Sequence, residues 1–232
     1  MTLQTIDLKQ GVNWLSAELE DGIIALITAS FNGVDGHAYY AKYFLCPNAF
    51  DRKLRLYFDQ QKIVGYCLIS FTGTENHVLL NASAAFYPDY RKGGNTFAFS
   101  MQQAFLYWLK NPFKRIFYAD TMLSPAMYRA IANKAAIVWP SVDNTALLPQ
   151  QLFEQFNQHG RKCDLLDVRC LLDVSRRTNY TEQEVDTFRK SRKKEIAFYC
   201  QVNPDFDKGV ALFVIMPITL KQLLFTAFKV FT

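Results

Sequence analysis

The chain has 232 residues, half of them hydrophobic and a fifth charged, with a formal net charge of +5. That length holds one large domain or a core with an added lobe, and the hydrophobic share excludes a chain disordered throughout. The positive balance fits an anionic ligand, a membrane surface or nucleic acid and selects none of them.

The five cysteines (Cys46, Cys67, Cys163, Cys170, Cys200) are odd in number and widely spaced. They suit a reducing compartment better than a disulfide framework. His159, Cys163 and Cys170 are close in sequence but match no zinc-ligand spacing, so no metal is expected. Residues 1–10 lack the apolar stretch of a secretory signal, so the expected location is cytoplasmic. The 20 Phe and 12 Tyr fill a core by default; a pocket for an apolar ligand is the sharper alternative.

Residues 1–50 are mixed. The run Ile23–Thr28 is too short for periodicity to separate helix from strand. Asn32-Gly33 and Asp35-Gly36 read as turns. Next come three β-rich runs, Leu54–Phe58, Ile63–Phe71 and Val78–Phe86, joined by short polar reversals at 59–62 and 72–76. They predict an antiparallel meander stopped by Pro88. Phe97, Ala98, Met101, Phe105, Trp108 and Leu109 recur at helical spacing and predict a helix with that buried face, ended at Asn111-Pro112. Arg115–Met122 predicts a strand, and Ser124-Pro125 opens a second helix reaching about Lys134, with Ser as N-cap and Pro at the first position. The strand–helix–strand order implies a parallel crossover pair and a mixed sheet.

Beyond Trp139-Pro140, residues 147–157 look helical and 165–174 look like a strand. Thr181–Glu184 is a capping-box pattern whose helix ends in the basic run Arg189–Lys194. Cations at a helix end complement its dipole, so this run reads as solvated rather than as a nucleic-acid or membrane patch. Val210–Met216 predicts a buried strand stopped by Pro217, and Thr219–Gln222 a second capping box opening the last helix. The expected class is α/β (α+β), with a mixed, mostly antiparallel central sheet flanked by helices. The expected division is a core over 1–140 and a C-terminal extension over 141–232.

The strongest chemical signal is the turn Pro88-Asp89-Tyr90-Arg91-Lys92-Gly93-Gly94-Asn95-Thr96. A strand ends, two glycines follow, and a helix begins. Helix N-termini present unpaired N–H groups and a positive dipole end, which bind phosphate. Glycines without Cβ let backbone approach a ligand closely, although such a pair also serves backbone geometry alone. Arg91 and Lys92 add positive charge.

This turn, placed after a meander, resembles the acyl-CoA loop of the GNAT superfamily of N-acetyltransferases, which reads Pro-x-Tyr-Arg-x-x-Gly-x-Gly/Ala. Thr96 stands where that pattern has Gly or Ala. The resemblance spans about Leu54 to Val138. Asn133–Trp139 replaces the family's glycine-phenylalanine ending to the second helix.

The resemblance implies an acyl-CoA N-acyltransferase fold and acetyl-CoA or a longer acyl-CoA as donor, without a metal. Its pyrophosphate would lie on Arg91, Lys92, Gly93, Gly94, Asn95 and Thr96, with Ser124 at the second helix start completing the donor site. Backbone N–H groups at Ala84, Ala85 and Phe86 would polarise the thioester carbonyl, as an oxyanion hole does. Tyr128 is implied as general acid for the leaving thiolate. An amine, on a small molecule or a protein, would attack directly. No base stands out among Asn81, Ser83 and Asp120, and water could serve. Two alternatives stay open: a non-catalytic acyl-CoA-binding module on the same fold, and a peripheral membrane or interaction protein.

The tail carries its own ambiguity. Leu220, Leu223, Leu224, Ala227, Phe228 and Phe231 form a helical stripe. It reads first as a face docked on the core, with a membrane contact through 217–232 as the alternative. Pro217 and Lys221 interrupt the segment, so it falls short of the roughly 20 apolar residues of a span.

Overall fold

Short polar reversals between β-rich runs build the first half of the chain. The computed structural model describes residues 3–12, 14–74, 77–90, 96–143, 148–174, 177–178 and 180–231. The chain divides into two compact units, Met1–Ile116 and Phe117–Thr232.

In the first unit, β1 (Gln4–Lys9), β2 (Asp51–Asp59), β3 (Lys62–Gly73) and β4 (His77–Phe86) pair antiparallel in that order. The expected three-strand meander is therefore four strands wide. The reversal after β2 puts Gln60 at φ 56°, a left-handed position that a two-residue hairpin requires. β1 was not expected from its mixed sequence. Its pairing positions Asp7 to accept a bidentate pair from Arg55, at 2.6 and 2.7 Å.

One sheet face is covered by α1 (Ala17–Ser30) and α2 (Gly36–Phe44). Ile23, Leu26, Ile27, Tyr40 and Phe44 pack there with Leu54, Leu56, Tyr66 and Leu68. Ile23–Thr28 thus resolves as helix, because the core it meets is a whole sheet face. Asp35-Gly36 is not a turn: the Asp35 carboxylate accepts from the N–H groups of His37 and Ala38 and caps α2. A Cβ at Gly36 would lie 2.3 Å from Thr28 Oγ1 and 2.9 Å from the Ile24 carbonyl, so glycine permits the close crossing of α1 and α2.

On the opposite face lies α3 (Thr96–Lys110), whose buried residues are Phe99, Ser100 and Ala104. The predicted face is corrected here. Ala98, Phe105 and Leu109 are exposed, and Phe97, Met101 and Trp108 are half-buried. Small Ser100 and Ala104 let the helix axis come close to β3, with Cys67 Sγ 3.9 Å from Ser100 Oγ. Hydrophobic spacing cannot register that preference for small residues.

In the second unit the strand order is β5 (Arg115–Met122, which begins at the unit boundary), β8 (Val210–Pro217), β7 (Val168–Asp173), β6 (Arg161–Cys163), with antiparallel pairings throughout. Every residue of β8 is buried. The strand expected over 165–174 is β7, which starts only after Asp167 turns at φ 49°, and β6 pairs with it as an unexpected hairpin arm. Four helices were expected from their sequences: α4 (Pro125–Ala132), α5 (Gln150–Phe156), α6 (Glu182–Arg189) and α8 (Leu220–Phe231). Thr181 and Glu184 form the reciprocal capping box that opens α6.

Another helix, α7 (Lys194–Val202), was missed. The run Arg189–Lys194 is consequently a connection between two helices rather than one helix end. Three of its cations are paired: Arg189 with Asp207, Lys190 with Asp186 and Lys194 with Asp143. α7 packs on α4 through Tyr199 and Phe198 against Tyr128, ring centroids 5.6 and 6.1 Å apart. Tyr199 donates to the Met122 carbonyl at 2.8 Å, and Asn203 donates to Tyr199 and to the Val210 carbonyl.

The second predicted capping box is half made. Thr219 Oγ1 accepts from the Gln222 N–H at 3.2 Å, but the Gln222 side chain turns elsewhere. It accepts from the Ile137 N–H at 2.7 Å and donates to the Ile137 carbonyl at 3.0 Å. This reverses the expected docking of α8. Gln222 and Thr226 are buried, whereas Leu220, Leu224 and Phe228 of the predicted stripe are exposed. A half-buried backbone unit that gains both a donor and an acceptor from Gln222 outranks apolar burial at this position.

The class is thus α/β, with mostly antiparallel sheet and flanking helices, as expected. Among the described residues no helix is long and apolar enough to cross a membrane.

Candidate functional site

β4 delivers the chain to the candidate turn. The Tyr87 N–H donates to the Val64 carbonyl at 3.1 Å. Antiparallel alternation then makes Ala85–Tyr66 a hydrogen-bonded pair. Ala84 and Phe86 consequently direct their N–H groups to the opposite edge of the strand. Of the three expected carbonyl-polarising donors, Ala85 belongs to the ladder with β3, and Ala84 and Phe86 do not.

The side chains at this strand end differ in purpose. Ala84 is exposed, whereas Ala85 belongs to the core under α1 and α2. Phe86 packs on Tyr57, centroids 4.9 Å apart, and lies over Gly65, where a Cβ would sit 2.2 Å from its ring carbons. The Phe86 carbonyl accepts from Ser30 Oγ at 3.0 Å, so α1 also fixes the strand terminus.

Past Phe86 the backbone makes a single 3-10 turn over Pro88–Tyr90. Proline presets φ for such a turn. The Tyr90 hydroxyl donates to Asp59 Oδ2 at 2.6 Å, and Lys62 Nζ lies 4.7 Å from the Tyr87 ring centroid. The β2–β3 hairpin thereby anchors the entry to the turn. Sequence reasoning missed Asp59 and Lys62 as supports, since nothing local ties a hairpin tip to a turn some thirty residues on. Arg91, Lys92, Gly93, Gly94 and Asn95 lie outside the described residues.

At the exit, Thr96 starts α3, a helix of 15 residues. Its carbonyl accepts from Ser100 Oγ at 2.9 Å, and Thr96 itself is half-buried. A strand end and a helix start, each fixed by named bonds, thus bracket the glycine pair.

In the second unit, Ser124 Oγ accepts from the Met127 N–H at 3.3 Å and Ser124 is buried, so its side chain is the N-cap of α4. Tyr128 is 1% exposed, and its hydroxyl donates to the Pro140 carbonyl at 3.1 Å. Burial, reinforced by Glu195 and Asp143, pushes its pKa well above the ordinary phenol value. As placed, that proton is engaged by a buried carbonyl.

The candidate bases are also bonded. The Ser83 hydroxyl is buried and contacts Tyr39 and Tyr66 hydroxyls at 3.1 and 3.0 Å. Asp120 accepts from the Tyr118 hydroxyl at 3.0 Å and the Thr121 N–H at 2.7 Å. Among the described residues no group of three or more His, Cys, Asp or Glu is placed to hold a metal ion.

No protein-family model matches the chain, and no curated protein matches it. Solved structures to which it is similar include the loading GNATL domain of CurA from Lyngbya majuscula, at 15% identity and a TM-score of 0.40, over 93% of this chain and 98% of that one. An aminoglycoside 6'-N-acetyltransferase complexed with coenzyme A is similar at 12% identity and a TM-score of 0.39, over 92% and 97%. The ribosomal-protein-S18-alanine N-acetyltransferase from Escherichia coli is similar at 9% identity and a TM-score of 0.36, over 93% and 96%.

Proposed function

We propose that this chain binds an acyl-CoA through the turn between β4 and α3 and transfers its acyl group to an amine. The observation that carries the reading is the bracketed turn, Pro88 to Thr96. A pinned strand end leads through Arg91, Lys92 and two glycines into the start of a long helix. Peptide N–H groups and a helix dipole there attract a pyrophosphate. Thr96 adds a hydroxyl that can bond a phosphate oxygen.

Direct attack by an amine on the thioester needs no nucleophilic Ser or Cys. The carbonyl oxygen gains negative charge as the C–N bond forms, and N–H groups aimed at it lower that barrier. Ala84 and Phe86 are the donors assigned to this task. In this reading Tyr128 has a packing role, because its proton is engaged by Pro140. Solvent supplies the proton to the leaving thiolate. Acetyl-CoA and longer acyl-CoA both fit the reading; the acceptor is an amine on a small molecule or a protein.

The experiment is thermal unfolding with coenzyme A. Ligand that binds only the folded state raises the melting temperature, and Arg91→Glu should abolish the rise. Absence of any shift at millimolar coenzyme A in the unmodified protein overturns the proposal. The engaged Tyr128 hydroxyl also favours a second reading, a binding module without turnover. A coenzyme A shift with no thiol release from acetyl-CoA across a broad amine panel would select it.

A further inference from the structure

α8 is built inside out for a helix that covers a core. Among its described side chains the buried ones are polar, Gln222 at 0% and Thr226 at 5% exposed. Leu220, Leu224, Phe225 and Phe228 are 51%, 61%, 53% and 69% exposed. The two bonds between the Gln222 side chain and the Ile137 backbone fix this rotation. Turning the apolar face inward would strip a donor and an acceptor of their partners, so the orientation is held by the fold and is not incidental.

We infer that this outward face of α8 is a docking surface for an anionic lipid bilayer. Three observations select that occupant. First, area: four side chains each showing about half or more of roughly 200 Å² offer on the order of 500 Å². This matches the patches that soluble proteins keep for function, but falls below the roughly 800 Å² per partner of a stable dimer. Second, charge: α8 contains no acidic residue, and exposed Lys221 lies among the apolar positions, in a chain of net charge +5. Cations beside an apolar face complement anionic headgroups. Third, spacing: Leu220, Leu224 and Phe228 recur every four residues with Phe225 beside them, so one face of α8 can lie in the interface with Leu and Phe inserted.

The test is flotation of the full chain with vesicles of phosphatidylserine and phosphatidylcholine, with phosphatidylcholine alone as comparison. Leu224→Asp/Phe225→Asp should lower binding by about tenfold or more, since both substitutions place charge in the inserted face. Lys221→Glu leaves the buried positions untouched and should weaken binding to anionic vesicles selectively, as should added salt. Failure of the unmodified protein to float at millimolar lipid overturns the inference, as does full binding by the double variant. A solution dimer that the double variant dissociates, without vesicle binding, also overturns it and assigns the face to a second copy. None of these outcomes depends on coenzyme A, so the anchor and the transferase reading fail separately.

Discussion

Replacing Tyr128 with Phe separates a proton donor from a packing residue. The ring is locked between Phe198 and Tyr199, and only the hydroxyl reaches a polar group, the Pro140 carbonyl at 3.1 Å. Tyr128→Phe keeps the ring contacts and deletes that one bond. Pro140 is buried, so its carbonyl is left without this donor, at a cost of about 1–3 kcal/mol. Urea unfolding followed by circular dichroism should show the midpoint falling with an unchanged slope. Turnover, read as thiol release from acetyl-CoA with a panel of primary amines, should be preserved. A general acid contributes roughly a hundredfold to ten-thousandfold, far outside the effect of a stability change on a protein that stays folded in the assay. A turnover loss of that size with unchanged stability would refute the packing role and return Tyr128 to the leaving group.

Two further perturbations test the fold that carries the site. Gly65→Ala places a Cβ 2.2 Å from the Phe86 ring, against Tyr57 behind it; overpacking should cost about 1–3 kcal/mol and weaken coenzyme A binding through the end of β4, whereas an unchanged urea midpoint would show the ring free to move. Burial raises Tyr40 and Tyr57 from an ordinary 10.0 to about 12. The folded state therefore holds these protons more tightly than the unfolded chain, and their contribution to stability is fully present below pH 10 and lost as pH rises through about 12. Phenolate absorbance for these residues should appear together with unfolding, and its appearance in a folded protein well below that range would contradict the burial argument.

The parts of the fold legible in the sequence are those set by local physics. β2, β3 and β4 follow from β-branched and aromatic runs between polar reversals, and Ser124-Pro125 marks α4 by its cap. Thr181 and Glu184 mark α6 in the same way. What escaped is set by partners distant in sequence. β1 is a strand because β2 offers it an edge, and Arg55 offers its Asp7 a partner. The faces of α3 and α8 were misread for one reason: apolar periodicity reports amphipathicity but not which stripe finds the core. In α3 small residues win through close approach, and in α8 Gln222 wins through the unmet backbone of Ile137. The strand end before residues 91–95 and the helix start after them were legible because a β-rich run and helical spacing are local; the Asp59 and Lys62 supports of the strand end were not, because they belong to another hairpin. The environment of Tyr128 was not legible, since the carbonyl that accepts its hydrogen bond lies beyond the end of α4.

Strand β8 carries a consequence for how the chain must be handled while it is unfolded. Val210–Pro217 is buried along its whole length and holds no charged residue. Before its neighbours assemble, such a segment is a template for pairing with other chains. The residues around it oppose this. Lys208 and Gly209, at φ 91°, stand before it and Pro217 closes it, a charge and two strand-breakers at its ends. Asn203 then takes hold of the Val210 carbonyl from the end of α7. The same residues that frame the strand in the native protein thus limit how far it can propagate a misassembled sheet.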